Sequence, residues 1–365
     1  WATVEGTVCE WGAGFLGKKL ARYYKDVDKG NGGIAHEENP PSGTTDGAYG
    51  SESASQLNVR VQVCKAGMLG DERCTAVPEN LTSNYKPCGI LQEFGLSTGA
   101  SQAARVEFGV ITGSYDHNTN AGALRKTMGD FADEINTETG VFCHSATGVC
   151  TGNTADGRAK GGGAIQSIDN FVLYGREGAG YAGAKPLPKD LTDGTLPAWG
   201  NPIGEMVIQA LQYYANKSET NPPPSTKDAS RKLVVKAWDD PLSNANATRR
   251  ALYGNSICRP MYTLALSSSA LGFDGATGAN ADTQGSTAFG TLVNASSSLS
   301  GYTDRIGQAE GLNGTTRSVG KVDGTFGQSC SGKTVSTLSQ VSGICPDAPG
   351  TGGTYQVAGA ALYAN

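Results

Sequence analysis

Six of the nine cysteines fall into three close pairs, and that spacing restricts the fold more than any other feature of the chain. Cys64 and Cys74, Cys143 and Cys150, and Cys330 and Cys345 each bracket a short loop-like stretch, as disulfide-closed loops do. Cys9, Cys88 and Cys258 are left over. One further pair leaves one free thiol, or a partner lost with the rest of a longer protein. Pairs at this spacing predict an oxidising compartment. The cysteines do not read as metal or haem ligands, because Cys143-His144 completes no haem signature and no paired C-x-x-C occurs. His36, His117 and His144 are the only histidines. They leave little material for a zinc site or a His-based triad, and each reads more simply as a loop residue.

Composition points to the same compartment. With 52 glycines, many Ser, Thr, Asn and Ala, and 17% charged residues, the usage is that of secreted bacterial surface proteins. A net charge of −5 with acid and base well mixed argues against a nucleic-acid partner, which needs a basic surface. No run of about 18 apolar residues occurs, so no membrane span is expected. The 365 residues allow one large domain with insertions or two ordinary ones. Because the chain opens at Trp1, the expectation is a processed or incomplete chain, with any signal peptide out of view.

Along the chain, Phe15, Leu16, Leu20, Tyr23 and Tyr24 take helical spacing opposite Lys18, Lys19, Arg22 and Lys25. This predicts a basic amphipathic helix packed on a domain, a reading that outweighs a membrane contact. Residues 29–53 read as a turn-rich connector. Leu57, Val59, Val61 and Val63 alternate with polar residues, the period of a half-buried strand, and 105–112 suits a strand interior to a sheet. Leu124, Met128, Phe131 and Ile135 predict a helical stripe, as do Ile165, Ile168 and Phe171 in 164–175. Ile203, Met206, Val207, Ala210 and Leu211 predict the core face of a further helix, and 261–275 reads as an apolar strand running into a loop. Strands alternating with helices predict an α/β domain with a largely parallel sheet, whose strand-end loops (112–122, the turn before Gly200, and 267–275) gather at one edge. Residues 215–230 and 276–300 read as surface loops, and no internal repeat stands out.

Several segments in order carry a resemblance: "VRVQVC", "NYKPCGILQEF", "VEFGVITGSYDHNTNAGALRK", "WGNPIGEMVIQALQYYAN", "VKAWDDP", "CRPMYTLALSSSALGFD" and the closing "SLSQVSGICPDAPGTGGTYQVAGAALYAN". Together, over residues 57 to 365, they resemble the segment of the PilY/PilC type IV pilus tip proteins that precedes their β-propeller. The resemblance implies a von Willebrand factor A-like (vWA) fold: α/β, a largely parallel sheet flanked by helices, with long loop insertions. It divides the chain into a variable segment 1–56, a vWA-like domain 57–309 and a Gly-rich, disulfide-clasped appendix 310–365 packed on it. It also implies an extracellular protein at the pilus tip, acting in adhesion, pilus assembly and surface sensing. The implied partners are minor pilins or the tip complex and a host or surface receptor. The family's calcium-binding propeller is not in this chain.

In vWA domains Mg²⁺ or Ca²⁺ sits at the sheet's carboxyl edge. By resemblance, Asn201 stands where such domains carry a Thr ligand, and Ser268 where they carry an Asp. No Asp-x-Ser-x-Ser loop occurs, and neutral oxygens alone make a weak site for a hard dication, so these positions are degenerate. Asn201 reads instead as a helix N-cap, with Pro202 at the first helical position. Asp116, Asn118 and Asn120 have the 1-3-5 spacing of a calcium loop but lack its Gly and its bidentate Glu, so a turn between strand and helix explains them better. The acidic stretch 274–282 has no diagnostic spacing. Asp239 and Asp240, as sequence neighbours, point apart and form no catalytic pair by themselves.

No G-x-S-x-G, H-E-x-x-H or phosphate-loop pattern is present. The function expected is therefore a non-enzymatic surface protein, with Tyr115, Trp199 and Phe273 marking the contact loops. The alternatives are a processed structural subunit of an extracellular filament or envelope assembly and, less favoured, an extracellular hydrolase.

Overall fold

The computed structural model describes residues 23–28 and 34–39 (backbone only), 64–76, 85–96, 104–120, 122–137, 140–144, 150, 152, 154, 160–171, 200–219, 226–242, 259–267, 272–273, 289–292, 298–322, 330–345 and 353–365. The expected strand 57–63, Trp199, Ser268, Cys9, Cys258 and the acidic stretch 274–282 lie outside them.

The chain divides into two units, one of residues 1–62 with 172–181 and one of 63–171 with 182–365. In the first, β1 (Tyr23–Asp28) and β2 (Ile34–Asn39) pair antiparallel, Tyr23 opposite Asn39 and Asp28 opposite Ile34. The predicted helix over the first residues is thus corrected at its end, since Tyr23 and Tyr24 belong to a strand. The connector 29–53 likewise contains β2.

The second unit opens with the Cys64–Cys74 disulfide, which closes a loop ahead of a short antiparallel pair, β3 (Cys74–Ala76) and β4 (Tyr85–Pro87). The helix α1 (Ile90–Gly95) follows. β5 (Phe108–Gly113) then turns through 114–120 into β6 (Gly122–Gly129), antiparallel and with register shifts near Val110. This corrects two expectations. The stripe of Leu124 and Met128 lies on a strand, and the turn at 114–120 joins strand to strand rather than strand to helix. The physical reason is visible in the burial: Leu124, Arg125 and Lys126 are all buried, so β6 is covered on both faces and shows no alternation.

Helices α2 (Ala164–Asn170), α3 (Ile203–Tyr214) and α4 (Thr226–Ser230) follow. The expected α3 forms, but its most buried positions are Gly204, Glu205, Ile208, Gln209, Gln212 and Tyr213. The predicted face of Ile203, Met206, Val207, Ala210 and Leu211 is only half-buried. Polar residues enter the interior because they have partners there. Gln209 Oε1 accepts the Gly122 N–H at 2.8 Å, and Gln212 Nε2 donates to Thr291 Oγ1 at 2.9 Å.

Toward the carboxyl end, α5 (Leu299–Ala309) and α6 (Gln356–Ala364) pack with α3 around Ile208, Phe289, Leu299 and Ala360. The rings of Phe289, Tyr302 and Tyr363 meet edge to face, with centroids 5.2–5.9 Å apart. Gly359 permits the close approach: a Cβ there would lie 2.7 Å from Leu299 O and 2.8 Å from Thr303 N. Between these helices, β7 (Thr316–Lys321) is flanked by β8 (Ser331–Thr334) and β9 (Ser342–Ile344), both antiparallel to it. Val319, Val335 and Val341 fill a small core beside this sheet. The Cys330–Cys345 disulfide ties the approach of β8 to the end of β9. Cys143–Cys150 completes the three expected disulfides, and Cys88 is a half-buried free thiol among the described residues. Every ladder among the described residues is antiparallel.

Candidate functional site

Three loops distant in sequence meet at the start of α3. Gly200 has φ +114, and a Cβ there would run into the carbonyl oxygen of Asn118, so the turn before α3 is seated directly on the β5–β6 loop. Only glycine takes both that backbone angle and that contact at low cost. Asn201 Nδ2 donates to Ser267 Oγ at 2.9 Å, and the Gly272 N–H donates to the Asn201 carbonyl at 3.1 Å. The α3 N-cap position falls on Pro202, with no side-chain cap. The N-cap reading of Asn201 is therefore corrected: its amide ties the turn to the segment 259–267.

That segment makes contacts just ahead of β5 and at both ends of α3. It starts at Arg259, whose guanidinium pairs with Glu107 just before β5, and it ends at Ser267 beside Asn201. Between them, the Tyr214 hydroxyl at the far end of α3 donates to the Tyr262 carbonyl at 2.8 Å. Residues of the 114–120 loop, the turn at 200–202, Ser267 and Gly272 thus meet at the start of α3.

The β5–β6 loop is held from below by a buried ion pair. Arg125 Nη2 and Asp228 Oδ2 lie 2.6 Å apart, both side chains fully buried. Arg125 also donates from Nε to Thr112 Oγ1, from Nη1 to the Val234 carbonyl and from Nη2 to the Gly113 carbonyl, at 2.8–3.0 Å. Asp228 Oδ1 accepts the Tyr115 N–H at 2.7 Å. Burial pulls the Arg125 guanidinium below its usual range, and Asp228 opposes that. On the other face of β6, Lys126 Nζ pairs with Asp133 and donates to the Asp130 carbonyl at 2.9 Å. Glu134 accepts the N–H groups of Ala164 and Ile165 at 2.7 and 3.1 Å. Its pKa is raised by burial, with those two hydrogen bonds opposing.

The oxygen-bearing candidates are placed as follows. Both Asp116 oxygens accept backbone N–H groups of Lys227 and Asp228 at 3.0–3.1 Å. Asn118 is buried with its carbonyl against Gly200, and the Asn120 N–H reaches the His117 carbonyl at 3.5 Å. Asn201 engages Ser267, the neighbour of Ser268. Asn201, which the resemblance sets at a metal-ligand position, offers a neutral amide already bonded to a hydroxyl, a donor set that does not fit Mg²⁺ or Ca²⁺ without carboxylates. Among the described residues, Cys64, Glu72 and Cys74 do group closely, but the two sulfurs are bonded to each other. Asp239 accepts from the Tyr213 hydroxyl and Asp240 from the Leu242 N–H, so the two neighbours serve different partners. Tyr115 and Phe273 are buried, Tyr115 edge-on to Phe171 at 5.8 Å. In the two expected contact loops that they mark, these rings are packed inward and support the loop. Arg125, Asp228 and Glu134 are site-shaping residues that sequence reading missed. The signal available was "RK" inside an otherwise apolar strand.

This edge carries no assembled acid–base pair or nucleophile among the described residues; its charged groups hold backbone. What it offers chemically is a set of loop residues seated on one another through Gly200 and Asn201.

The sequence matches the family described as "PilY1 homolog, second domain" over residues 108–364. It is 28% identical over 330 residues to a protein of Xylella fastidiosa (strain Temecula1 / ATCC 700964) named Type IV pilus biogenesis factor PilY1 homolog. That alignment takes in 86% of this chain and 21% of the relative, so the chain spans about a fifth of the relative's length. No solved structure matches. With the family's second domain matched from β5 through α6, well over half of its length, the chain belongs to the PilY1 homolog family.

Proposed function

We propose that this chain is a non-enzymatic, extracellular part of a type IV pilus biogenesis factor, and that its loop edge at Gly200 is a contact surface at the pilus tip. The observation that carries the reading is the match itself, which runs across 86% of the chain to a protein so named. The three disulfides support an oxidising, extracellular location. No helix among the described residues is long and apolar enough to cross a membrane. The commitment of Arg125, Lys126, Asp228 and Glu134 to structural partners supports binding over turnover. The gathering of strand-end loops at one edge supports a vWA-like α/β scaffold with minor pilins, the tip complex or a surface receptor as partners.

Peptide-resolved mass spectrometry of filaments sheared from the source cells tests this. Trace peptides of the chain alongside abundant pilin support the tip assignment. A preparation dominated by the chain makes it a structural subunit instead, and turnover of generic glycoside or peptide substrates by the purified chain overturns the non-enzymatic part.

A further inference from the structure

β6 sends two cations into the interior, and they differ in what their chemistry allows. The Arg125 guanidinium keeps its charge and is no nucleophile. The Lys126 amine becomes a nucleophile once it gives up a proton. Burial favours that step, because desolvation disfavours the charged forms of an amine and of a carboxyl alike. The Lys126 side chain is fully buried and that of Asp133 is 4% exposed. Nζ lies 3.0 Å from Asp133 Oδ1 and 3.0 Å from Oδ2. The carboxyl carbon between those oxygens is therefore about 3–3.5 Å from the amine nitrogen, the separation of reacting atoms poised for attack.

The surroundings aim the pair and keep water out. Nζ also donates to the Asp130 carbonyl at 2.9 Å and to the Thr127 carbonyl at 3.2 Å. The Phe108 ring lies 5.3 Å from Nζ, and the buried Phe131 packs on Phe108 with centroids 5.5 Å apart. Asp130 turns its own carboxylate to the Ala132 N–H, and Glu134 turns to Ala164 and Ile165. Asp133 is thus the carboxyl that faces the amine.

We propose that Lys126 Nζ and Asp133 Cγ become joined by an amide bond, an internal cross-link between β6 and the short helical turn Phe131–Asp133 that follows it. A proton passes from the ammonium to Oδ2, leaving amine and acid neutral. The broad second torsion of an aspartate lets the carboxyl turn its face to the amine, and the Nζ lone pair attacks Cγ. The Cγ–Oδ2 bond breaks, and the departing oxygen takes a second proton from the nitrogen and leaves as water. Ammonium and carboxylate thus give amide and water, with no oxidant, cofactor or second protein. Two features favour condensation. The reacting groups are held together at an effective concentration far above any in solution. The product replaces two buried charges with a neutral group, whose remaining N–H has the Asp130 carbonyl as acceptor. The inference rests on the geometry of this pair and is independent of the pilus reading.

Cyanogen bromide, which cuts after methionine, tests it, because Met128 lies between the two residues. The polypeptide is purified folded from the source cells, then unfolded, reduced, alkylated and cleaved. Residues 69–128 and 129–206 are expected to stay joined in most copies, with two amino termini, Leu69 and Gly129. Their joint mass should fall one water below the sum of the separate pieces. Lys126→Arg should release the two pieces at their full masses. Wild-type pieces that separate at full mass overturn the proposal, and that result relies on no variant. Pieces that stay joined in Lys126→Arg overturn it as well, since another link then holds them.

Discussion

Around β6 the interior is ionic, with Arg125 on Asp228 and Lys126 on Asp133, whereas between α3, α5 and α6 it consists of Ile208, Phe289, Leu299 and Ala360 with two tyrosine rings. The two regions belong to one unit and share α3. The difference lies in how each depends on its parts. An ion pair out of water is stable only while both members and their remaining hydrogen bonds are in place. Apolar packing loses free energy in proportion to the atoms removed. The first region fixes one geometry, the seat of the 114–120 loop, and the second supplies cohesion.

Removing one ion should separate the two most strongly. Asp228→Ala leaves Arg125 buried without its carboxylate and the Tyr115 N–H without its acceptor, and the expected loss is about 3–5 kcal/mol by urea unfolding. The double replacement Arg125→Met with Asp228→Leu should recover most of that loss. If the double variant is as unstable as the single, the ion pair is not the reason this region is sensitive. Next in size is the clasp on the sheet of β7, β8 and β9, which has a small valine core of its own. Cys330→Ala with Cys345→Ala opens a 15-residue link and should cost about 3 kcal/mol. Calorimetry showing an unchanged melting temperature would mean that the small valine core holds β8 and β9 unaided.

A graded test of the apolar region follows. Ile208→Val should cost only about 1 kcal/mol, with no dependence on pH or salt. A larger or salt-dependent loss would blur the distinction between the regions. The smallest effect concerns Glu134. Burial raises its pKa, so the folded chain holds that proton more tightly than the unfolded chain. The associated stability is present below the ordinary carboxylate range and is lost as pH rises through the raised pKa. As pH rises from the ordinary carboxylate range through the raised pKa, the native chain should therefore lose stability relative to Glu134→Gln. Parallel urea midpoints for the two proteins across that range would contradict it.

The apolar region was the more legible in sequence. α3 follows from its 3.6-residue spacing; outside both regions' cores, the three disulfides follow from local cysteine spacing. Even so, the buried face of α3 could not be chosen from hydropathy, because Gln209 and Gln212 find partners at Gly122 and Thr291 that only folding supplies. β6 was illegible for the same reason in stronger form. Leu124, Met128, Phe131 and Ile135 fall by coincidence at helical offsets, and Arg125 and Lys126 look like a solvated face until Asp228 and Asp133 are brought to them. At the loop edge, the role of Asn201 was not legible, since choosing between a cap and a tether depends on where Ser267 lies.

The three disulfides also set a mechanical limit. A chain pulled from its two ends lengthens only by the residues free to straighten, and each cross-link removes the loop it closes from that reserve. The Cys330–Cys345 bond alone withholds 15 residue steps, about 50 Å of contour at full extension. Under load, the sheet of β7, β8 and β9 can come apart while the stretch from 330 to 345 passes on tension without paying out its length.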